Sequence, residues 1–453
     1  MENLELTYEK KTVYERVEKK IIDDAFEYSK GYMAYLDAAK TERESVTEGI
    51  KMAEANGFKP YTFGTKLNAG DKYYYNNRGK NLFLFTIGTE NVSEGIRISV
   101  AHVDSPRIDL KQVPLYEEGG MGFFKTQYYG GIRKYQWVAH PLALHGVIVK
   151  ADGEVVNVCI GEDDSDPIFY INDLLPHLSR DINAKPLGTA IPGEKLNVLI
   201  GSIKDDKSIK HNILTLLNEK YGIVEEDFLS AELSVVPAAK ARDIGFDRSL
   251  IGAYGHDDRV CAYPALTSII ECADSKHTLM CILADKEEVG SDGNSGMQCD
   301  LMLDLINEIS TSLGANPAQV RANSKCLSAD VSACYDPNFA EVFEKNNSSL
   351  LNCGVVLTKY TGSGGKGGTN DASAEYIGWL RGIMAKDNVV WQAGELGKVD
   401  CGGGGTVAKF VSKHNIEVVD LGVPVIAMHA PCEVISKVDL YEAHRAFCAF
   451  CKY

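Results

Sequence analysis

The stretch DDRVCAYPALTSIIECADSKHTLMCILADKEEVG, residues 257–290, decides how the chain is to be read. Its first half is apolar at helical spacing behind a polar start at Asp257. Its second half, HTLMCILAD, is a short apolar run that breaks on charge and then on glycine. A helix leading straight into such a strand is one piece of a repeating crossover, and that repeat builds an α/β sheet with helices on both faces. The strand also stops on two adjacent carboxylates, Glu287 and Glu288. In sheets of this kind ligands gather just beyond the carboxyl ends of the strands, so those two charges are the first candidates for chemistry.

The same alternation extends in both directions. Downstream, LMLDLINEISTSL reads as a helix and KCLSADV as a strand; NDASAEYIGWLRGIM is a helix and VPVIAMH a strand; SKVDLYEAHRAFCAF is a last helix, with Ser436 and Asp439 placed to cap it. Upstream, TERESVTEGIKMAEANGF opens with the capping-box pair Thr41 and Glu44 and runs to Gly57. GIRISVAHVDSP then alternates as a strand whose end carries His102 and Asp104 before Pro106. Between these parts the composition changes to short runs rich in glycine, aromatic and β-branched residues. At 453 residues the chain exceeds what one core usually serves. The expected organisation is a catalytic domain in two parts, 1–106 and 247–453, interrupted by an inserted β-rich domain, 107–246.

Bulk properties narrow the function. A formal charge of −16 argues against nucleic acid and against an anionic membrane surface, since either would call for a basic face. The opening MENLELTYEKKTVYERVEKK has no apolar signal region, and nowhere do about 18 uninterrupted apolar residues occur. A cytoplasmic protein with no membrane partner is expected. The twelve cysteines sit mostly in apolar segments, as reduced core thiols do. The single CxxC, Cys448 to Cys451, lies on the terminal helix without a second pair and is expected to pack rather than to bind metal.

Across the strand ends the polar residues are His102, Asp104, Glu287, Glu288, Asp330 and His429, with Asp257 opening a helix. All are carboxylates or imidazoles, the donors suited to zinc, cobalt or manganese. His102 and Asp104 are two apart on a strand and share a face, so the aspartate is placed to hold the ring from behind. Asp257 and Glu288 stand 31 residues apart, about one crossover. Five ligands exceed the needs of one zinc and suit two ions sharing a bridging carboxylate. Within GHDDRV the spacing leaves the choice open: Asp258 beside Arg259 reads equally as a local ion pair, and His256 is a rival ligand. The glycine clusters GSGGKGGTND and DCGGGGTV lack P-loop spacing, and Lys366 is the one charge there able to grip a carboxylate. No GxSxG is present, so metal-assisted hydrolysis is favoured over a serine nucleophile.

At these residues the chain resembles the dinuclear zinc aminopeptidases that include aspartyl aminopeptidase and the yeast vacuolar leucine aminopeptidase. The motifs are AHVDSPR, HDDR, DKEEVGS, SADV and VIAMHAPCE, in that order. The match is of bacterial type, with Ala333 where eukaryotic members carry a histidine. The resemblance implies a zinc-peptidase α/β fold with a mixed central sheet, and two Zn2+ per subunit, with Co2+ or Mn2+ as substitutes. It places His102, Asp257 and Asp330 on one ion and Asp257, Glu288 and His429 on the other. Glu287 would be the general base, Asp104 the residue behind His102, and Lys366 a substrate contact. It further implies that the insertion mediates dimers within homododecamers, and that His177, in LLPHLSRDIN, reaches a neighbouring subunit's site. The implied activity is removal of N-terminal residues from peptides with a free N-terminus by a metal-activated water. A dinuclear carboxypeptidase or N-acyl deacylase is the alternative.

Overall fold

The computed structural model describes residues 6–453; the first five residues of the charged opening segment lie outside the described residues. Packing divides the chain into two units, one of residues up to Asp104, Ala241–Met428 and Glu433–Tyr453, the other of Ser105–Lys240 and His429–Cys432.

The first unit is built on a nine-stranded mixed sheet. The strand Thr278–Ala284 pairs antiparallel with Asn81–Thr86 and parallel with Ile96–His102, which in turn pairs parallel with Lys325–Ser328, and that with Glu417–Gly422. Leu279, Cys281 and Leu283 face one core, shared with the helices Lys19–Ala38, Glu42–Ala55, His256–Glu271, Ala374–Lys386 and Lys437–Lys452. Met280, Ile282 and Ala284 face the other, shared with Leu301–Ser312, Pro317–Asn323 and Ala408–Ser412. Both faces being covered is why this strand is apolar at every position. The same holds for Ile96–His102, where all seven residues are buried; the alternation expected of a half-exposed strand gives way to full burial.

Local signals were honoured unevenly. Thr41 caps Glu42–Ala55 through a complete capping box with Glu44. VPVIAMH, expected as a strand, contributes only the two-residue Pro424–Val425, and the central strand is its predecessor Glu417–Gly422. Ser436 and Asp439 do not cap Lys437–Lys452 with their side chains. The Ser436 hydroxyl donates to Asn352, and the Asp439 carboxylate accepts the N–H groups of Asn352 and Gly354, each at 2.7 Å.

The second unit holds a seven-stranded antiparallel sheet in the order Val155–Ile160, Leu142–Val149, Ala231–Pro237, Arg107–Glu118, Met121–Tyr129, Val198–Gly201, Tyr170–Ile171, together with the helix Ile209–Tyr221. No helix among the described residues is long and apolar enough to cross a membrane.

Candidate metal centre

Each site residue of the first unit sits where a buried strand runs out. His102 is the last residue of Ile96–His102, Asp330 follows Lys325–Ser328 by two, and Asp257 lies in the first turn of His256–Glu271. Glu287 and Glu288 open a short 3-10 helix just past Thr278–Ala284, and Lys286 before them turns the chain with φ 65°.

His102, Asp257 and Asp330 each offer one ligand atom, all within 4.8 Å of one another. The ring is oriented from behind: His102 Nδ1 lies 3.0 Å from the backbone carbonyl of Asp104. A carbonyl only accepts, so Nδ1 carries the proton and the Nε2 lone pair faces outward. It points at Asp257 Oδ1, 3.1 Å away, and at Asp330 Oδ1, 3.9 Å away. A lone pair set against two carboxylates in a buried corner calls for a cation between them. Where no ion is bound the corner draws a proton in its place, as the electrostatics show. Burial, then the negative charges of Asp258, Glu287 and Asp257, push the Asp330 carboxyl well up despite the pull of His102. At His102 burial acts downward, but the bonds to Asp104 and Asp257 outweigh it and the pKa rises. The donors are nitrogen and oxygen, as a zinc site of this class takes.

The Asp104 carboxylate does a second job beside its contact with the His102 ring. Its oxygens accept the backbone N–H groups of Glu287 and Glu288, each at 3.2 Å, while Oδ1 stays 3.4 Å from the ring. The backbone carbonyl is the closer contact to the imidazole.

Two residues escaped sequence reasoning. Asp258 does not pair with Arg259; it is fully buried, accepts the backbone N–H of His102 at 3.2 Å, and burial holds its carboxyl well above the usual range. Glu433, 1% exposed, accepts the backbone N–H of Asp257 at 3.1 Å. Its signal was present: it opens the strand Glu433–Ser436 and pairs with Ala253, close to the HDDR segment. A cis peptide joins Asp257 to Asp258. His256, the rival ligand, is committed elsewhere. Its Nδ1 bonds the Tyr32 hydroxyl at 2.7 Å and its Nε2 lies 3.2 Å from the Ile251 carbonyl. The fully buried Arg259 donates to the carbonyls of Gly255, Tyr254 and Ala39. Gly255, at φ 77°, leaves it room: a Cβ there would lie 1.4 Å from the guanidinium.

The remaining candidates are placed as follows. In the second unit, His429 has φ 67° and its Nδ1 lies 2.9 Å from the Gly131 carbonyl, the same arrangement that frees Nε2 in His102. His177 is exposed on the 3-10 helix Pro176–Leu178. Lys366 lies on its glycine-rich loop with local partners. Its ammonium bonds Asp371 at 2.8 Å and lies 3.9 Å from the Tyr360 ring centre, and Lys359 holds the same aspartate.

Comparison with known proteins gives the arrangement its context. Residues 35–451 match the family described as aminopeptidase I zinc metalloprotease (M18). A Clostridium acetobutylicum protein named "Probable M18 family aminopeptidase 1" is 49% identical, covering 98% of this chain and 99% of its own. The crystal structure of aminopeptidase I from that organism superposes with a TM-score of 0.93 at 47% identity, covering 99% of this chain and all of the other. A Thermotoga maritima aminopeptidase of the M18 family gives 0.94 at 40% identity, covering 98% and 100%. The S. cerevisiae mApe1 dodecamer, 20% identical over 96% of this chain and 97% of its own, shares the fold at a TM-score of 0.78. A buried imidazole–carboxylate corner beyond a mixed sheet, on a chain this similar to named aminopeptidases, leaves one reading: the chain belongs to the aminopeptidase I zinc metalloprotease family, M18, and is a zinc metalloaminopeptidase.

Proposed function

We propose that the chain works with two ions, His102 and Asp330 holding one, Glu288 and His429 the other, and Asp257 bridging them, with zinc the resident metal and cobalt or manganese able to replace it. The observation that carries this is the His102 lone pair aimed at Asp257 and Asp330, beside a turn that presents Glu287 and Glu288 together. When bound, such ions polarise a scissile carbonyl and lower the pKa of water. Glu287 takes the proton from the attacking water and hands it to the leaving amine. A carboxylate suits that double role, since it must accept a proton and then release it. Asp104 holds the imidazole of His102 with its carbonyl and the Glu287–Glu288 turn with its carboxylate, so one residue sets the distance between ligand and base.

The substrates are peptides with a free N-terminus, and the chain acts in the cytoplasm. Residues 107–246 form the dimerisation domain, dimers assemble into a homododecamer as in the yeast relative, and His177 of one subunit stabilises the oxyanion in a neighbour. A matched pair of peptides, one with a free and one with an acetylated N-terminus, tests the reaction. Only the free peptide should be cleaved; cleavage that survives acetylation would instead mark an N-acyl deacylase or carboxypeptidase.

A further inference from the structure

At the far end of the helix His256–Glu271, on the order of 20 Å from Asp257 at 1.5 Å per residue, a second group of metal-type donors meets the terminal helix Lys437–Lys452. Glu271, His444 and Cys448 each offer a ligand atom, all within 4.8 Å of one another. The thiol of Cys272 lies beside them, 3.9 Å from the Cys448 carbonyl, and the Cys448 and Cys451 thiols hold its pKa low. It is the third sulfur that the lone CxxC lacked in sequence.

Polar contacts hold the His444 ring from both sides. The Thr267 hydroxyl has one proton and donates it to the Tyr263 carbonyl at 2.9 Å. Its oxygen also contacts Tyr28 Oη at 2.6 Å and His444 Nδ1 at 3.0 Å. His444 Nε2 faces Glu271 Oε2 at 2.9 Å, to which its N–H donates when no ion is bound, and Cys448 Sγ at 3.5 Å. A tetrahedral ion with a metal–sulfur bond of about 2.3 Å and a metal–nitrogen bond of about 2.0 Å sets sulfur and nitrogen about 3.5 Å apart. A ring held from behind by a polar chain, with Nε2 turned toward a thiol and a carboxylate, is how a ligating histidine is presented once an ion takes the place of the Nε2 proton. His444 and the two cysteines are buried, while the Glu271 side chain is 63% exposed and leaves a way in.

We infer that Glu271, His444 and Cys448 form a binding site for a thiophilic divalent ion of the zinc class, with Cys272 beside it, separate from the catalytic centre. The rival arrangement is a His444 Nε2–H donating to Glu271, which needs no sulfur. The intact protein and Cys448→Ser are compared by metal content and after cobalt exchange. The intact protein should carry about one more equivalent than the variant and show a near-ultraviolet thiolate-to-cobalt band that the variant lacks, with peptide turnover equal in both. The catalytic donors are nitrogen and oxygen only, so this band reports on the sulfur site whatever the ion count at the catalytic centre. Glu271→Gln alters an exposed side chain and should weaken cobalt binding at the band at least tenfold, which decides the matter should Cys448→Ser fail to fold. Equal metal content and no band would overturn the site, as would a Cys272–Cys448 disulfide in the native protein.

Discussion

Asp104 Oδ1 accepts the backbone N–H of Glu287 at 3.2 Å, so the residue that backs the first histidine also anchors the proposed general base. Removing that carboxylate should free the Glu287 turn and take away the charge 3.4 Å from the His102 ring, while the backbone carbonyl stays in place. Asp104→Ala is expected to lower zinc affinity by about 10- to 100-fold, the usual effect of losing an outer partner of a metal ligand. It should also lower kcat at saturating zinc, because the Glu287 turn loses two acceptor oxygens. Zinc titration followed by turnover at saturation separates the two effects; a kcat that recovers fully with zinc would confine Asp104 to the histidine.

Glu287 itself is predicted to act on the proton and not on the metal. Glu287→Gln keeps the shape of the side chain and removes its basicity, so zinc content should stay unchanged while kcat falls by about 10²- to 10⁴-fold. His102→Ala should give the opposite pattern, a loss of bound zinc. Metal analysis beside steady-state kinetics reads both, and near-normal turnover by Glu287→Gln would remove its assignment.

Lys366 is already satisfied by Asp371 and the Tyr360 ring. Lys366→Ala should therefore change KM by less than about threefold for peptides beginning with Asp and with Leu alike. A selective loss for the acidic peptide would mean that the lysine leaves Asp371 to hold substrate.

Asp420 gives a pH prediction away from the centre. It is fully buried, accepts from the hydroxyls of Ser328 and Thr406 at 2.7 Å each, and burial pushes its pKa up to about 6. A carboxyl raised on folding favours the folded state most in its protonated form. Its contribution is fully present below the unfolded pKa near 3.8 and is lost as pH rises through about 6. A shift of about two units corresponds to about 3 kcal/mol. Asp420→Asn should thus be more stable than the parent at pH 8, by up to that amount, with the gap closing toward pH 4. Urea midpoints across that range measure it.

What the sequence carried well was whatever depends on near neighbours or on strand ends. The apolar run 278–284, the capping box at Thr41 and the convergence of His102, Asp257 and Asp330 all follow from local pattern and the geometry of an α/β sheet. What it hid was settled by partners distant in the chain. Asp258 looked like half of an ion pair because Arg259 is adjacent, yet the arginine reaches back to Ala39 and the aspartate to His102. Asp439 occupies a capping position but serves Asn352 and Gly354 instead. Apolar content alone did not show that VPVIAMH departs from the sheet, with Ala427 and His429 both at positive φ.

The buried Arg259 gives Gly255 a significance out of proportion to its size. A side chain at that glycine would displace the guanidinium, and with it the clamp on three carbonyls that fixes the chain entering Asp257. A survey of variants scored by activity alone would therefore rank Gly255 among the catalytic residues, although it carries no reactive group; only scoring for folded protein would tell a lost scaffold from a lost reaction.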